Sequence, residues 1–299
     1  MRQLFTLIFL LVVAVLPAHA DLRVFATVPE WGALVREIGG DKVQVYVATS
    51  ALQDPHRIEA RPSLLAQARQ ANLVVAAGAE LEVGWLPLVL RDSGNAAIQP
   101  GQPGNFSAAT YVSRLEVPSV LDRANGDVHA AGNPHIHLDP RNVLKVGEAL
   151  TARLAELDPA QAAAYRNGFK TFSGKWQAAI VRWEKEAAPL RGVPVLVHHS
   201  SFVYLANWLG IKEVGTLEPK PGIEPTSNHL MALLSRQQTQ PARMVLRTAY
   251  QQDGPSQWIA GKTGIPAVML PYTVGGTPEA KDLFGLFDDT VQRLLKGLR

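Results

Sequence analysis

The segment Asn133-Pro134-His135-Ile136-His137-Leu138-Asp139-Pro140 places two imidazoles between two prolines. The prolines restrict the backbone of the segment, and the second one biases Asp139 towards an extended conformation. If the segment is extended, His135 and His137 point to the same side. Neutral imidazole is the commonest metal ligand among protein side chains, so this segment is a candidate metal site.

Two other segments carry histidines that could complete such a site. They are Asp54-Pro55-His56 upstream and His198-His199-Ser200 downstream. His56 and His199 each follow an apolar run typical of a buried strand, and ligands of open α/β sheets bind beyond the carboxyl ends of strands. We therefore expect the three segments to converge on one metal ion. On an extended strand His198 points away from His199, so we interpret it as structural.

The remainder of the chain alternates short apolar runs with stretches of helical period. Residues 71–78, for example, form a continuous apolar run that ends in glycine, as a buried parallel strand does. This alternation predicts an α/β fold with two lobes, each a mostly parallel sheet flanked by helices. A helix predicted over about residues 159–188 would be roughly 45 Å long and would join the lobes as a spine.

This pattern also predicts the domain boundaries. We expect an N-terminal lobe over residues 21–157, a linking helix over residues 158–190 and a C-terminal lobe over residues 191–299. Residues 1–20 combine a basic start, an apolar run and the sequence Ala18-His19-Ala20, which is typical of a cleaved signal peptide. We therefore expect the mature chain to begin at Asp21.

Composition restricts the class of protein further. The 299 residues include no cysteine, which excludes disulfides, thiolate ligands and lipid attachment at a lipobox cysteine. We accordingly expect an exported protein that is free in the periplasm. The net charge is +3, and the basic residues are scattered rather than clustered as in nucleic-acid-binding proteins.

Three motifs, in this order and around a long central helix, carry a family resemblance. They are Asp54-Pro55-His56 with Glu59, the segment from Asn133 to Pro140, and His199-Ser200-Ser201-Phe202-Val203-Tyr204-Leu205. Over essentially its whole mature length, the chain resembles the ZnuA-like or TroA-like solute-binding proteins of bacterial ABC importers, which bind zinc or manganese. The resemblance implies His56, His135 and His199 as metal ligands. It also implies an ABC permease of the inner membrane as the partner, and we expect a monomer.

The sequence departs from this family in two places. Many members supply a fourth ligand, an acid after the last strand, but residues 270–276 contain no acid. Zinc-binding members often have a histidine-rich run before the second motif, and here that region has only His129. We expect water as the fourth ligand, held by Glu59, with His129 or His137 as protein alternatives. His229 is predicted to lie on a helix surface.

Ligand chemistry favours zinc as the bound ion. An all-imidazole set suits Zn²⁺ better than manganese or calcium, which prefer oxygen ligands, whereas copper and nickel remain open by ligand type. Three histidines with an open position also describe catalytic zinc, so a zinc-dependent hydrolase is the competing interpretation. The chain contains neither H-E-x-x-H nor G-x-S-x-G, and we therefore expect a binding protein rather than an enzyme. A third interpretation, an adhesin or structural protein, has no repeat or surface anchor to support it.

Overall fold

Two parallel sheets of four strands form the framework of the protein. The computed structural model describes residues 21–118 and 129–299, so the predicted signal peptide lies outside the described residues. The first sheet has the order β2-β1-β3-β4 and the second has the order β6-β5-β7-β8. The strands are β1 (Leu22–Ala26), β2 (Val43–Val47), β3 (Leu73–Ala76), β4 (Asn105–Ser107), β5 (Pro194–Val197), β6 (Lys212–Thr216), β7 (Met244–Thr248) and β8 (Ala267–Leu270).

Helices cover these sheets. Within the described part of the chain they are α1 (Pro29–Gly39), α2 (Pro62–Gln70), α3 (Leu86–Ser93), α4 (Pro140–Leu157), α5 (Ala162–Glu186), α6 (Val203–Leu209), α7 (Ser227–Arg236), α8 (Gly254–Thr263) and α9 (Leu283–Leu298). Several begin with proline in the first turn, where the missing N–H would have no intrahelical partner. None of these helices has the length and apolar character that crossing a bilayer requires.

Helix α5 connects the two halves of the molecule. It has 25 residues. It packs against α1 and α4, which precede it in the sequence, and against α9, which follows it. Its buried aromatic residues include Trp176 and Trp183, and the Trp176 indole N–H donates to the carbonyl oxygen of Pro140 at 2.8 Å. One continuous apolar core runs from the first sheet through α5 to the second sheet. The predicted two-lobed α/β fold with a spine helix is therefore confirmed.

Three elements escaped the sequence prediction. Strand β4 lies at the end of a Gly- and Pro-rich segment, residues 93–105, whose composition predicts a loop, yet Phe106 pairs with Val75 of β3. Strand β6 is a polar edge strand beside β5, and helix α3 follows a run of turns. Edge strands are short and often carry polar residues, so apolar periodicity alone does not find them.

Candidate metal centre

Three imidazoles from distant parts of the chain meet at the carboxyl ends of the strands. One ring nitrogen from each of His56, His135 and His199 lies within 4.8 Å of the other two. The ring centroids are 5.3 Å apart for His56 and His135, and 5.6 Å apart for each of the other two pairs. His135 is 1% exposed and His199 is 8% exposed, while His56 is partly buried.

Each histidine is delivered by a different kind of local structure. His199 is the second residue after β5 and is extended, and His56 lies in the loop after β2. His135 precedes a short 3-10 turn over Ile136–Leu138, which leads into α4. The indole N–H of Trp85 donates to the carbonyl oxygen of Pro55 at 3.0 Å and so anchors the loop of His56.

A buried asparagine joins two of these segments. The side-chain oxygen of Asn133 accepts the backbone N–H of His135 at 3.0 Å. Its amide group donates to the carbonyl oxygen of Ser200 at 2.8 Å, next to His199 in the chain. Asn133 therefore holds the second and third histidine segments together across the two lobes.

The Nδ1 atoms of all three imidazoles have oxygen partners. His56 Nδ1–H donates to Asp54 Oδ1 at 2.8 Å, and His199 Nδ1–H donates to Glu218 Oε2 at 2.7 Å. Since an ionised carboxylate only accepts hydrogen bonds, these partners place the proton on Nδ1 and leave Nε2 with its lone pair. His135 Nδ1 lies 2.8 Å from the hydroxyl oxygen of Tyr272.

The Nε2 atoms carry the lone pairs that are available to a metal ion. Those of His56 and His135 are buried and have no hydrogen-bond partner among the described residues. A buried polar atom without a partner is costly, and a cation placed between the rings would satisfy it. The arrangement can thus bind an ion through three imidazole nitrogens.

Burial also fixes the protonation state of two imidazoles. It lowers the pKa of His135 well below 6.5, and the neighbouring His56 and His199 lower it further. Burial, with smaller contributions from the same two neighbours, lowers the pKa of His129 to about 4. Both rings are therefore neutral near pH 7, which is the form that binds metal.

A cavity of about 240 Å³ lies beside two of the three imidazoles, those of His56 and His199. His129 and His198 line it together with His56 and His199. The ring of His129 stacks on His56 with centroids 5.5 Å apart, and its Nε2 is buried without a partner in the described structure. His198, which we interpreted as structural, is buried. Its Nδ1 has no hydrogen-bond partner within the described part of the chain.

Other residues considered from the sequence lie elsewhere. The 3-10 turn breaks the extended geometry that would put His137 beside His135, and His137 Nε2–H instead donates to the carbonyl oxygen of Tyr272 at 2.9 Å. Glu59 is exposed and does not line the cavity. His229 lies in α7 and is partly buried, and its Nε2–H donates to the carbonyl oxygen of Thr216 at 2.8 Å.

Sequence reasoning missed the roles of three residues around the centre. Asp54 belongs to the first histidine motif, Asp54-Pro55-His56, but nothing in that motif indicates that its carboxylate bonds the His56 ring. Glu218 and Tyr272 follow β6 and β8, and both reach histidines of other segments. Their position beyond strand ends is the only signal that could have identified them.

Comparison with known proteins gives the family. The model of the family described as zinc-uptake complex component A, periplasmic, matches residues 24–297. The chain belongs to the ZnuA family. This confirms the resemblance that the three histidine motifs indicated.

Relatives named for zinc uptake or for manganese transport match most of the chain. The high-affinity zinc uptake system protein ZnuA of Bacillus subtilis is 21% identical over 278 residues, which are 93% of this chain and 86% of that protein. The manganese ABC transporter substrate-binding lipoprotein PsaA of Streptococcus anginosus is 21% identical over 290 residues, or 93% and 89% of the two chains.

A solved structure shares the fold. The crystal structure of ZnuA superposes with a TM-score of 0.77 at 23% identity, covering 94% of this chain and all of that one. At this identity the likeness shows the common architecture of the ZnuA family, with its two lobes.

Proposed function

We propose that this protein binds a divalent metal ion, zinc in preference to manganese, and delivers it to an ABC importer. The observation that carries the proposal is the convergence of His56, His135 and His199 within 4.8 Å, with an oxygen atom behind the Nδ1 of each ring. We propose these three residues as the ligands, bound through Nε2. Family membership and the relatives named for metal transport support the importer.

Donor chemistry is the reason for preferring zinc. Three neutral imidazoles form a set that zinc accepts readily, whereas Mn²⁺ favours carboxylate and carbonyl oxygen. Two carboxylates, Asp54 and Glu218, lie directly behind the rings and balance the charge of a divalent ion. Relatives named for zinc and relatives named for manganese both match the chain, so manganese is the alternative that the experiment must separate.

We propose that the fourth coordination position faces this cavity, because His56 and His199 both line it. We propose that water occupies it, because the cavity beside the rings is large enough to hold water molecules. His129 is the protein alternative, since its buried Nε2 has no partner among the described residues and its ring stacks on His56. Zinc-edge spectroscopy on the His129→Ala variant distinguishes them, because the loss of one nitrogen scatterer identifies His129 as the ligand.

We further propose that the chain acts as a periplasmic monomer. Cleavage after Ala20 and lobes that divide near residues 157 and 191 belong to the same proposal. The periplasmic description of the matching family supports this location. Binding rather than catalysis agrees with the relatives, which carry the names of transport proteins.

A competition experiment tests the function. Metal-free protein is incubated with equal concentrations of Zn²⁺ and Mn²⁺, and the bound metal is measured after removal of free ions. We expect one zinc per chain and little manganese. The His135→Ala variant should lose zinc binding, while His229→Ala, whose imidazole bonds Thr216 instead, should retain it. Preferential manganese loading, or full zinc binding by His135→Ala, would contradict the proposal.

A further inference from the structure

Tyr272 joins the C-terminal lobe to the metal centre. It follows β8, and its side chain is 2% exposed. Its hydroxyl oxygen lies 2.8 Å from His135 Nδ1, although the two residues are 137 positions apart in the chain. Its ring packs edge-on against His135 and His137, with centroid distances of 5.6 and 5.0 Å.

The backbone around Tyr272 is held from the N-terminal lobe. His137 Nε2–H donates to the carbonyl oxygen of Tyr272 at 2.9 Å. The hydroxyl of the next residue, Thr273, donates to Glu30 Oε2 at 2.5 Å. Glu30 and His137 are both buried, and each residue is only 1% exposed. Three contacts across the lobes therefore converge on two consecutive residues.

The conformation of Tyr272 is unusual. Its φ is +65°, in the left-handed region that non-glycine residues rarely adopt. Such a conformation is unfavourable for a residue with a side chain and persists only where the surroundings over-determine it. The three contacts supply that constraint. They also place the phenol hydroxyl of Tyr272 beside the Nδ1 atom of His135.

Tyr272 offers His135 a partner of a different kind from those of the other two imidazoles. His56 and His199 face carboxylates, which force the proton onto Nδ1, whereas a phenol can either donate or accept. If the hydroxyl accepts, Nδ1 carries the proton and the lone pair of Nε2 faces the other two rings. If the hydroxyl donates, Nε2 carries the proton and cannot bind an ion.

We propose that Tyr272 is a positioning residue for the metal centre: its hydroxyl accepts the Nδ1–H of His135 and so keeps the Nε2 lone pair available to the ion. This inference rests on the proposed function, because it takes His135 as a ligand. In this arrangement His137, which does not reach the ion, holds the carbonyl of Tyr272 and keeps the phenol in place. The C-terminal lobe thereby prepares a ligand that belongs to the N-terminal lobe.

The test combines a tautomer measurement with metal affinity. Two-bond ¹H–¹⁵N spectra of the metal-free protein report which nitrogen of each histidine carries the proton. We expect only the Nδ1–H form for His135 in the wild type and a mixture of both forms in Tyr272→Phe. The zinc dissociation constant of Tyr272→Phe should rise by about 10- to 100-fold, as is typical when a partner behind a metal ligand is removed.

Tyr250→Phe is the matched control. The ring of Tyr250 packs edge-on against Tyr272 with centroids 5.4 Å apart, so this variant removes a neighbouring phenol hydroxyl from a similar environment. No hydrogen bond joins its hydroxyl to His56, His135 or His199, whose Nδ1 atoms have other partners in the described structure. We expect Tyr250→Phe to keep the Nδ1–H form of His135 and a dissociation constant within about 2-fold of the wild type.

Several outcomes would overturn the inference. An Nε2–H form of His135 in the wild-type protein does so directly, even if Tyr272→Phe fails to fold. A Tyr272→Phe variant that melts at a lower temperature but keeps the tautomer and the affinity shows a merely structural role. If the wild type binds no zinc, or His135→Ala binds it normally, the proposed function fails instead, and the tautomer spectra still test the positioning by Tyr272.

Discussion

At the scale of single residues, charge is concentrated behind the proposed ligands rather than among them. Asp54 and Glu218 each accept an Nδ1–H, so two negative charges lie one hydrogen bond behind the rings of His56 and His199. Asp54 Oδ1 also accepts the backbone N–H of His56 at 3.0 Å. Burial raises the pKa of Asp54, but its hydrogen bonds with His56 and the charge of that ring outweigh burial and lower the pKa overall.

Removing these charges without changing shape should weaken zinc binding. Asp54→Asn keeps an oxygen that can accept from His56 but is neutral, and Glu218→Gln does the same for His199. We expect each to raise the zinc dissociation constant by about 10-fold or more, measured by competition with a chromophoric chelator. Asp92→Asn is the control, since Asp92 pairs with Arg91 at the surface. If Asp54→Asn and Glu218→Gln bind zinc as tightly as Asp92→Asn does, the carboxylates do not support the site.

The buried imidazoles should make the metal-free protein sensitive to acid. Burial lowers the pKa of His129 to about 4 in the folded state, against about 6.5 in an unfolded chain. Below pH 6.5 the unfolded state therefore binds protons that the folded state does not, so stability falls as the pH drops from about 6.5 towards 4. Urea unfolding at pH 7 and pH 5 should show a smaller loss of stability for His129→Gln than for the wild type. An equal loss in His129→Gln and the control His229→Gln would contradict this.

At the scale of structural elements, the centre depends on how loops after strands are tied to one another. Asn133 performs this task between the segment of His135 and the segment of His199. The Tyr204 hydroxyl of α6 donates to the carbonyl oxygen of Asn133 at 2.8 Å and accepts the backbone N–H of Leu115 at 3.0 Å. The loops are therefore joined to a helix of the C-terminal lobe, and the ligands share a single frame.

Asn133→Asp tests this link with almost no change in volume. An ionised aspartate cannot donate to Ser200, and it would face Glu116, whose carboxylate now accepts the Asn133 amide at 3.1 Å. We expect a loss of about 1–3 kcal/mol in unfolding free energy together with weaker zinc binding.

The control for this link is Asn95→Asp. The Asn95 amide also donates to two backbone carbonyls, those of Ala68 and Ala71, but it does so away from the centre. We expect a similar loss of stability with unchanged zinc affinity. Equal zinc affinities for Asn133→Asp and Asn95→Asp would show that the link does not influence the site.

At the scale of the whole molecule, the proposed ligands come from both lobes, while the apolar core and α5 run through both. A continuous core resists a wide hinge movement, because opening would expose buried aromatic residues such as Trp176 and Trp183. We therefore expect only modest closure when metal binds. The ion should act mainly as an additional bond between two halves that are already packed together.

Zinc should stabilise the folded protein by linkage. A ligand at 100 times its dissociation constant adds about 2.7 kcal/mol, which corresponds to a rise of roughly 4–5 °C in melting temperature for a chain of this size. The rise should vanish in His199→Ala. It should also shrink at pH 5, because protons then compete for the imidazoles. A rise that persists undiminished in His199→Ala or at pH 5 would point to oxygen ligands or another site.

Local sequence determined much of the fold of this protein and the choice of its proposed ligands. Apolar alternation predicted the parallel sheets, because a buried strand must be apolar on both faces, and helical periodicity predicted α5. Residue type and position after strands selected His56 and His199, and the proline-flanked motif selected His135. The proposed ligand set could therefore be formulated from the sequence, since strand ends and imidazoles are both visible in it.

Only the tertiary structure decided what surrounds those three rings. Local pattern does not predict that Glu218 supports His199 or that Tyr272 meets His135 across 137 residues, because such contacts depend on how the two lobes pack. The same packing, together with a 3-10 turn, directs His137 to the backbone of Tyr272 rather than to the centre. Periodicity describes which face of an element is buried, whereas the identity of a distant partner is set only when the elements assemble.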